Sequence, residues 1–182
     1  KVIDDAVIEE TYKVSLFGES GESEETECKH HKTPSTHTPP RAEVKKWMIP
    51  ANPKFYDLAR CLNKFGCVYW RQCFNFQTGD IIYIYVTTPE CRIKYKCVVE
   101  GHDLPFSEEN IIDKEFLVNP EDFEVSKQYK RFIKMRLVSS TTSDKLTLMH
   151  LLENGMKGAP QGSINLSHGS YAELLNYVES NF

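Results

Sequence analysis

Several features of common protein classes are missing from this 182-residue sequence. No apolar run approaches the ~20 residues of a membrane-spanning helix, and the first residues lack the basic start and apolar stretch of a signal peptide. We therefore expect a cytoplasmic protein without a membrane partner. The six cysteines form no CxxC pair, so reduced, buried thiols are expected. One polar cluster matches no zinc-finger spacing and is interpreted as solvated linker: Cys28, His30, His31 and His37.

The motifs of the common enzyme classes are also missing. The sequence has no GxxxxGK[ST], no GxGxxG after a strand, no HExxH and no GxSxG. None of its six histidines pairs with a cysteine or serine in a catalytic pattern, and acidic pairs such as Glu108-Glu109 fall in predicted loops. We therefore predict a binding protein that uses no cofactor and no metal, rather than an enzyme.

The net charge of −4 is unevenly distributed along the chain. Residues 1–40 hold nine acidic and four basic residues, net −5, which leaves 17 acidic and 18 basic residues, net +1, for residues 41–182. Residues 18–44 are rich in Gly, Ser, Thr, Pro and charge, a composition that cannot offset the entropy of ordering. We predict an acidic linker, or the stub of a preceding segment, over residues 1–44 and one domain over residues 45–182.

Short apolar alternations and short amphipathic segments follow one another from Lys45 onward. We predict strands, the first of them ending at Pro50 and Pro53 because proline cannot donate to a ladder, over residues 45–52, 80–86, 92–100 and 131–139. We predict helices over residues 53–65, 146–154 and 171–178, with Asn52 a plausible N-cap for the first and Gly66 its C-cap. This mixture implies an α+β domain built around a small curved sheet or barrel with short helices packed around it.

Two strand patterns bear on the site. In residues 92–100 an apolar face of Ile93, Tyr95, Cys97 and Val99 alternates with a partly basic face, which suits either solvent or phosphates. Before the strand at residues 80–86, an aromatic ring, a guanidinium and an amide follow one another as Trp70-Arg71-Gln72. Stacking and directional hydrogen bonds of this kind hold a planar heterocycle. The alternative is that Trp70 and Trp47 are core residues.

The segments WMIPANPKFYD, YWRQ, TGDIIYIYVTTPECRIKYKCVVE and FIKMRLV, in this order, resemble the EVE domain. That family belongs to the PUA-like superfamily and is related to YTH domains. The closest likeness is to the EVE-type modules fused to HNH nucleases in modification-dependent restriction systems, and it covers about residues 45–180. The resemblance implies a pseudo-barrel with a pocket for one modified base, flipped out of DNA or exposed in a single strand.

The resemblance also implies site residues. Asn52 falls where EVE domains carry the Glu of Ser-Glu-Pro, and Trp70-Arg71-Gln72 falls at a Trp followed by a polar pair. Tyr85 and Thr87 flank a position at which Val86 replaces the family's His, and Gln161 lies in a turn similar to Gln-Gly-Pro, with Ser163 in place of the final Pro. The implied base pocket comprises Trp47, Asn52, Trp70, Arg71, Gln72, Tyr85, Thr87 and Gln161, with phosphate contacts from Lys54, Lys94 and Lys96.

Two functions remain open from the sequence. The first is a reader of a modified base. The expected base is a modified cytosine or adenine, and DNA is favoured over RNA. The reader would be the specificity domain of a restriction or anti-phage system, beside a fused or separate nuclease or NTPase effector. The second is a protein–protein interaction or structural module whose aromatic residues are all core and which has no ligand-sized pocket.

Overall fold

The computed structural model describes residues 43–107 and 112–182. Residues 1–42 of the predicted linker, with Cys28 and its neighbouring histidines, lie outside the described residues, as does the acidic pair Glu108-Glu109. The division of the chain at residue 44 stays a prediction.

Six strands form one mixed sheet. They are β1 Lys46–Ala51, β2 Cys67–Arg71, β3 Ile81–Val86, β4 Arg92–Leu104, β5 Phe132–Ser140 and β6 Ile164–Asn165. Their order is β2-β5-β4-β3-β1-β6, with β1 and β3 parallel and the other neighbours antiparallel. The predicted α+β class is confirmed. Since β2 and β6 lie at opposite edges of the described sheet, the sheet is open and does not close into a barrel.

Short helices connect and cover the strands. They are α1 Leu58–Phe65, α2 Asp122–Ser126, α3 Leu148–Glu153 and α4 Ala172–Asn181, with 3₁₀ turns at Ile112–Glu115, Asp144–Leu146 and Gly169–Tyr171. The helices predicted near residues 53–65, 146–154 and 171–178 are thus present with shifted ends. Within the described ranges, no helix has both the length and the apolar character that a membrane span requires.

The ends of α1 separate a correct capping prediction from a wrong one. Gly66 is the C-cap as predicted, with a left-handed φ of 64° and its N–H bonded to the Leu62 carbonyl. The N-cap is Asp57, whose carboxylate accepts from the Arg60 N–H at 3.1 Å, and not Asn52. Asn52 instead accepts from the Lys54 N–H at 2.9 Å in its own turn. The residue directly before α1, Asp57, therefore caps the helix with its carboxylate.

β1 ends at Ala51, between the two prolines at which the strand is predicted to stop, but Pro50 itself lies inside the strand, opposite Tyr85 of β3. The Ile81 N–H donates to the Lys45 carbonyl, and the Thr87 N–H donates to the Ala51 carbonyl. The odd-numbered residues of β1 therefore form the hydrogen bonds to β3. Pro50 lies out of phase with them, so its nitrogen faces the other neighbour, β6. That strand pairs only with Trp47 and Met48, and proline there interrupts no ladder bond.

The two faces of the sheet carry separate apolar clusters. The front cluster packs against α1 and is built around Trp47, Ile49, Ile82, Ile84, Tyr95, Cys97 and Val99. The back cluster packs against α3 and α4 and is built around Met48, Tyr83, Tyr85, Ile93, Leu151, Leu166, Leu174 and Val178. Adjacent residues of β1 and β3 thus alternate between clusters, as a pleated strand requires.

One strand breaks that alternation. The pairs Ile84–Tyr95 and Tyr85–Ile93 leave Lys94 as an extra residue in β4, which is a β-bulge. The bulge turns Ile93 to the back cluster while Tyr95, Cys97 and Val99 belong to the front cluster. The predicted single apolar face from Ile93 to Val99 is therefore wrong at its first position.

The expectation of buried thiols needs correction, and α3 is buried on one side only. The five cysteines of the described residues are free thiols, as expected, but only Cys61 and Cys97 are buried, and Cys73 is exposed. Cys73 follows the end of β2, where the chain leaves the sheet. In α3, Leu151 is fully buried whereas Leu152 is exposed, because the six-residue helix presents only one side to the back cluster.

Candidate functional site

A cleft with a volume of about 190 Å³ lies at the carboxyl ends of β1 and β3. These two strands are parallel neighbours, so their last residues, Ala51 and Val86, lie side by side. Open sheets commonly bind ligands beyond the carboxyl ends of parallel strands. The lining consists of Ala51, Pro53, Tyr56, Asp57, Leu58, Ala59, Val86, Glu90, Tyr95 and Val118.

Two tyrosines form the aromatic part of the cleft. Tyr56 and Tyr95 are 9% and 6% exposed, respectively, so each residue packs in the front cluster and contributes a small part of its surface to the cleft. The Tyr56 backbone is held by an isolated bridge to Leu117. Its ring meets the ring of Trp70 edge-on, with 5.8 Å between centroids and 88° between planes. Trp70 therefore supports a cleft residue and is absent from the lining itself.

A polar group occupies the wall on the β4 side. The Lys94 ammonium donates to Oε1 of Glu90 at 2.7 Å and lies 5.7 Å from the centroid of the Tyr95 ring. The tight turn after β3 places Glu90, since the N–H groups of Glu90 and Cys91 both donate to the Thr87 carbonyl. The bulge in β4 lets Lys94 reach this group beside Tyr95. This side of the cleft is thus lined by the carboxylate of Glu90 and by Tyr95, and the ammonium of Lys94 is paired with that carboxylate.

The protonation states of this group follow from its surroundings. Burial disfavours the Lys94 ammonium, but the hydrogen bond and charge of Glu90 outweigh that effect, so the pKa of Lys94 is raised. Burial also raises the pKa of Tyr95, against the opposing charge of Lys94. At neutral pH the lysine is therefore a cation and the tyrosine a neutral hydroxyl that can donate or accept.

Four of the predicted site residues adjoin the cleft. Asn52 lies between two lining residues, and Lys54 follows them on the exposed surface. Thr87 comes directly after β3, and its N–H donates to the Ala51 carbonyl at 2.9 Å, which ties the two strand ends together. Lys94 belongs to the polar wall. These residues are thus brought to one place.

The Trp70-Arg71-Gln72 triplet does not act as one surface. Trp70 contacts Tyr56, while the Arg71 guanidinium lies 4.1 Å from the centroid of the Tyr129 ring. Gln72 is 5% exposed, and its Oε1 accepts from the Asp103 N–H at 2.7 Å. Its Nε2 has no hydrogen-bond partner among the described residues. Neighbouring strand residues point to opposite faces, which separates Arg71 from Trp70, and Gln72 lies beyond the end of β2.

The other predicted residues lie away from the cleft, and their roles in binding stay predictions. Trp47 is 7% exposed and packs edge-on against Phe76 with 4.9 Å between centroids. Tyr85 is buried in the back cluster, across the sheet. The Lys96 ammonium lies 5.5 Å from the Tyr83 ring on that same side. Gln161 is exposed in the loop before β6, where its Nε2 donates to the Ala159 carbonyl at 3.4 Å.

Sequence reasoning missed Tyr56, Asp57, Glu90 and Tyr95 as site residues. Tyr56 fell inside a predicted helix and Tyr95 on a predicted apolar face. The one available signal was the phenol of Tyr95 beside charged neighbours, which is unusual in a purely apolar face. Across residues 43–107 and 112–182, no three His, Cys, Asp or Glu side chains come together as a metal site.

Solved structures with a similar fold share little sequence with the chain. ASCH from Zymomonas mobilis is 14% identical with a TM-score of 0.45, over 72% of this chain and 94% of that chain. Rpa0253 from Rhodopseudomonas palustris is 10% identical with a TM-score of 0.45, over 74% and 92% of the two chains. Atu2648 from Agrobacterium tumefaciens is 12% identical with a TM-score of 0.46, over 73% and 92%.

No protein-family model matches the chain. No curated protein matches it either. The resemblance to the EVE domain therefore stays a prediction carried by the sequence segments alone.

Proposed function

We propose that the domain binds nucleic acid and holds one modified base in the cleft at the ends of β1 and β3. The observation that carries this proposal is the cleft itself, in which two tyrosines and a polar wall meet beside two adjacent strand ends. Its volume of about 190 Å³ is below the ~300–1,000 Å³ typical of pockets for drug-sized ligands. A single heterocycle suits such a space better than a larger ligand does.

The chemistry of the walls supports the same proposal. Stacking on an accessible aromatic ring is worth roughly 1–3 kcal/mol per base, so the largely covered rings of Tyr56 and Tyr95 recover part of the few kcal/mol needed to unstack that base from a duplex. Hydrogen-bonding groups at the cleft, with Asn52 beside it, provide directional contacts to the base edge. Lys54 is exposed next to the lining residue Pro53, where it can contact a phosphate of the nucleic-acid strand that carries the bound base.

The finer parts of the proposal come from the sequence resemblance. We propose a modified cytosine or adenine in DNA as the preferred base. The domain would then provide specificity to a nuclease or NTPase effector of a restriction or anti-phage system, and it would bind without catalysing a reaction. The alternative interaction module predicts that no ligand-sized pocket exists, so the cleft favours the reader.

A fluorescence-anisotropy titration at low salt tests the proposal. Matched duplex and single-stranded oligonucleotides would carry no modification, methylcytosine, hydroxymethylcytosine or methyladenine. We expect tighter binding of one modified oligonucleotide, and loss of that preference in Tyr56→Ala but not in Phe74→Ala, an exposed aromatic outside the cleft lining. Equal, salt-sensitive binding of all oligonucleotides would indicate phosphate contacts alone, and no binding would favour the interaction module.

A further inference from the structure

The charges at the cleft have an acidic balance. Asp57 and Glu90 both line it, whereas no Lys or Arg of the described residues is in the lining. Lys94 is paired with Glu90, and Lys54 adjoins the cleft on the exposed surface. Glu90 is 35% exposed and Lys94 22% exposed at their side chains, so the carboxylate is the more open of the two. The wall therefore offers a ligand more acceptors than donors.

Part of each carboxylate is already used. Oε1 of Glu90 accepts from Lys94, and Oδ1 of Asp57 accepts from the Arg60 N–H. An ionised carboxylate has about four acceptor positions on its two oxygens. Hydrogen bonds to the second oxygen of either residue are not formed by the described side chains or backbone. Glu90 can thus accept one more donor while Lys94 fixes its orientation.

Base edges differ in what they present to such an acceptor. Cytosine carries an N4 amino donor and adenine an N6 amino donor, whereas thymine and uracil carry an O4 acceptor at the equivalent position. A carboxylate that faces the exocyclic position pairs with an amino group there and repels a carbonyl oxygen, so Glu90 discriminates when it faces that position rather than the ring N–H of a keto base. A desolvated acceptor left without a donor also loses its hydrogen bond to water.

We infer that Glu90 is the specificity-determining residue of the cleft and selects bases with an exocyclic amino group, cytosine and adenine, over their keto counterparts. This inference rests on the proposed function, because it assumes that a base occupies the cleft. It names the class of base by its hydrogen-bonding edge, independently of the modification that the base carries.

The experiment compares two bases that differ only at this edge. One pair of single-stranded oligonucleotides carries a central 5-methylcytosine or a central thymine. Both bases have the C5 methyl group, but the first has an amino group at C4 and the second a keto group. A second pair replaces adenine by hypoxanthine. We expect the full chain to bind each amino member about tenfold tighter or more, the range of one good base-edge contact. In Glu90→Gln the preference should fall below about threefold, because an amide can turn either its donor or its acceptor to the base.

Glu115→Gln is the matched control, because Glu115 is another partly exposed glutamate, paired with Arg60 and Lys64 and absent from the cleft lining. It should keep the wild-type preference. Glu90→Ala is the second variant, and circular dichroism confirms that each variant is folded. Oligonucleotide binding without an amino preference, or an unchanged preference in both Glu90 variants, would overturn the inference and leave base binding intact. Failure of the wild type to bind any oligonucleotide would overturn the proposed function together with it.

Discussion

The indole nitrogen of Trp47 donates a 2.9 Å hydrogen bond to Oδ2 of Asp80, a carboxylate that is 2% exposed. The same carboxylate accepts from the Lys45 N–H and the Gln77 N–H, each at 3.0 Å. Asp80 thus joins the residue before β1 to the turn before β3. The polar atom of Trp47 is used in this link, which aligns the start of the two parallel strands whose other ends form the cleft.

Asp80→Ala should lower the free energy of unfolding by about 2–4 kcal/mol, because it leaves buried donors unsatisfied in the front of the sheet. Urea unfolding followed by circular dichroism measures this change. Asp144→Ala is the control, since that carboxylate is 91% exposed and should cost under about 0.5 kcal/mol. Equal costs for the two variants would show that the Asp80 link is not stabilising.

Gly66→Ala should destabilise the protein by about 1–2 kcal/mol through backbone conformation alone. Gly66 has a φ of 64°, and a Cβ added there meets no atom within 4 Å. Gly158→Ala is a matched control, because a Cβ at Gly158 also meets nothing within 4 Å and its φ is outside the left-handed region. Thermal unfolding of the two variants should separate them, and similar melting temperatures would contradict the role of Gly66 as the α1 cap.

Trp70→Ala should lower both stability and binding of the preferred oligonucleotide, because Tyr56 loses the ring that meets its edge. Trp70 is partly buried, so we expect about 2 kcal/mol of stability, less than the ~3–5 of a fully buried aromatic. Urea unfolding and anisotropy titration measure the two effects. Trp70→Phe keeps an aromatic edge and should retain most of the binding. Unchanged binding in Trp70→Ala would separate Trp70 from the cleft.

Stability should fall as the pH rises from about 9 toward 12. Burial raises the pKa of Cys97 from 9.0 to about 12 and that of Tyr129 from 10.0 to about 12. The unfolded chain loses these protons at lower pH than the folded chain, so the stabilisation is complete below pH 9 and declines through this window. Urea unfolding at a series of pH values measures the slope. Tyr129→Phe should flatten it above pH 10, and an unchanged slope would contradict the assignment.

Much of the fold is predictable from the sequence because strand alternation is a local signal. The strands near residues 80–86 and 131–139 and the Gly66 cap each depend on a few neighbouring residues. The errors arise where the answer depends on a partner strand. Pro50 is tolerated only because β6 stops short of it, and the bulge at Lys94 appears only once β3 and β4 are in register. Neither feature can be predicted from the neighbouring residues alone.

The site is less predictable for the same reason. The Trp70-Arg71-Gln72 triplet attracts attention because its residues are adjacent in sequence, yet adjacency on a strand sends side chains to opposite faces. The cleft instead combines residues 51–59, 86–95 and 118, which meet only because β1 and β3 are parallel. The chain passes through α1 and β2 between β1 and β3, and the register of these two strands depends on tertiary contacts rather than on the local sequence.

The back cluster sets a condition on when the sheet can be completed. Leu166, Leu174 and Val178 cover Met48, Tyr83 and Tyr85, yet they follow β1 to β5 in the chain. During translation, those tyrosines therefore emerge from the ribosome long before their covering residues exist. A nascent chain stalled after β5 would expose one apolar side of its sheet to chaperones and to other chains. Completion of the back cluster consequently waits for β6 and α4 and does not proceed strand by strand.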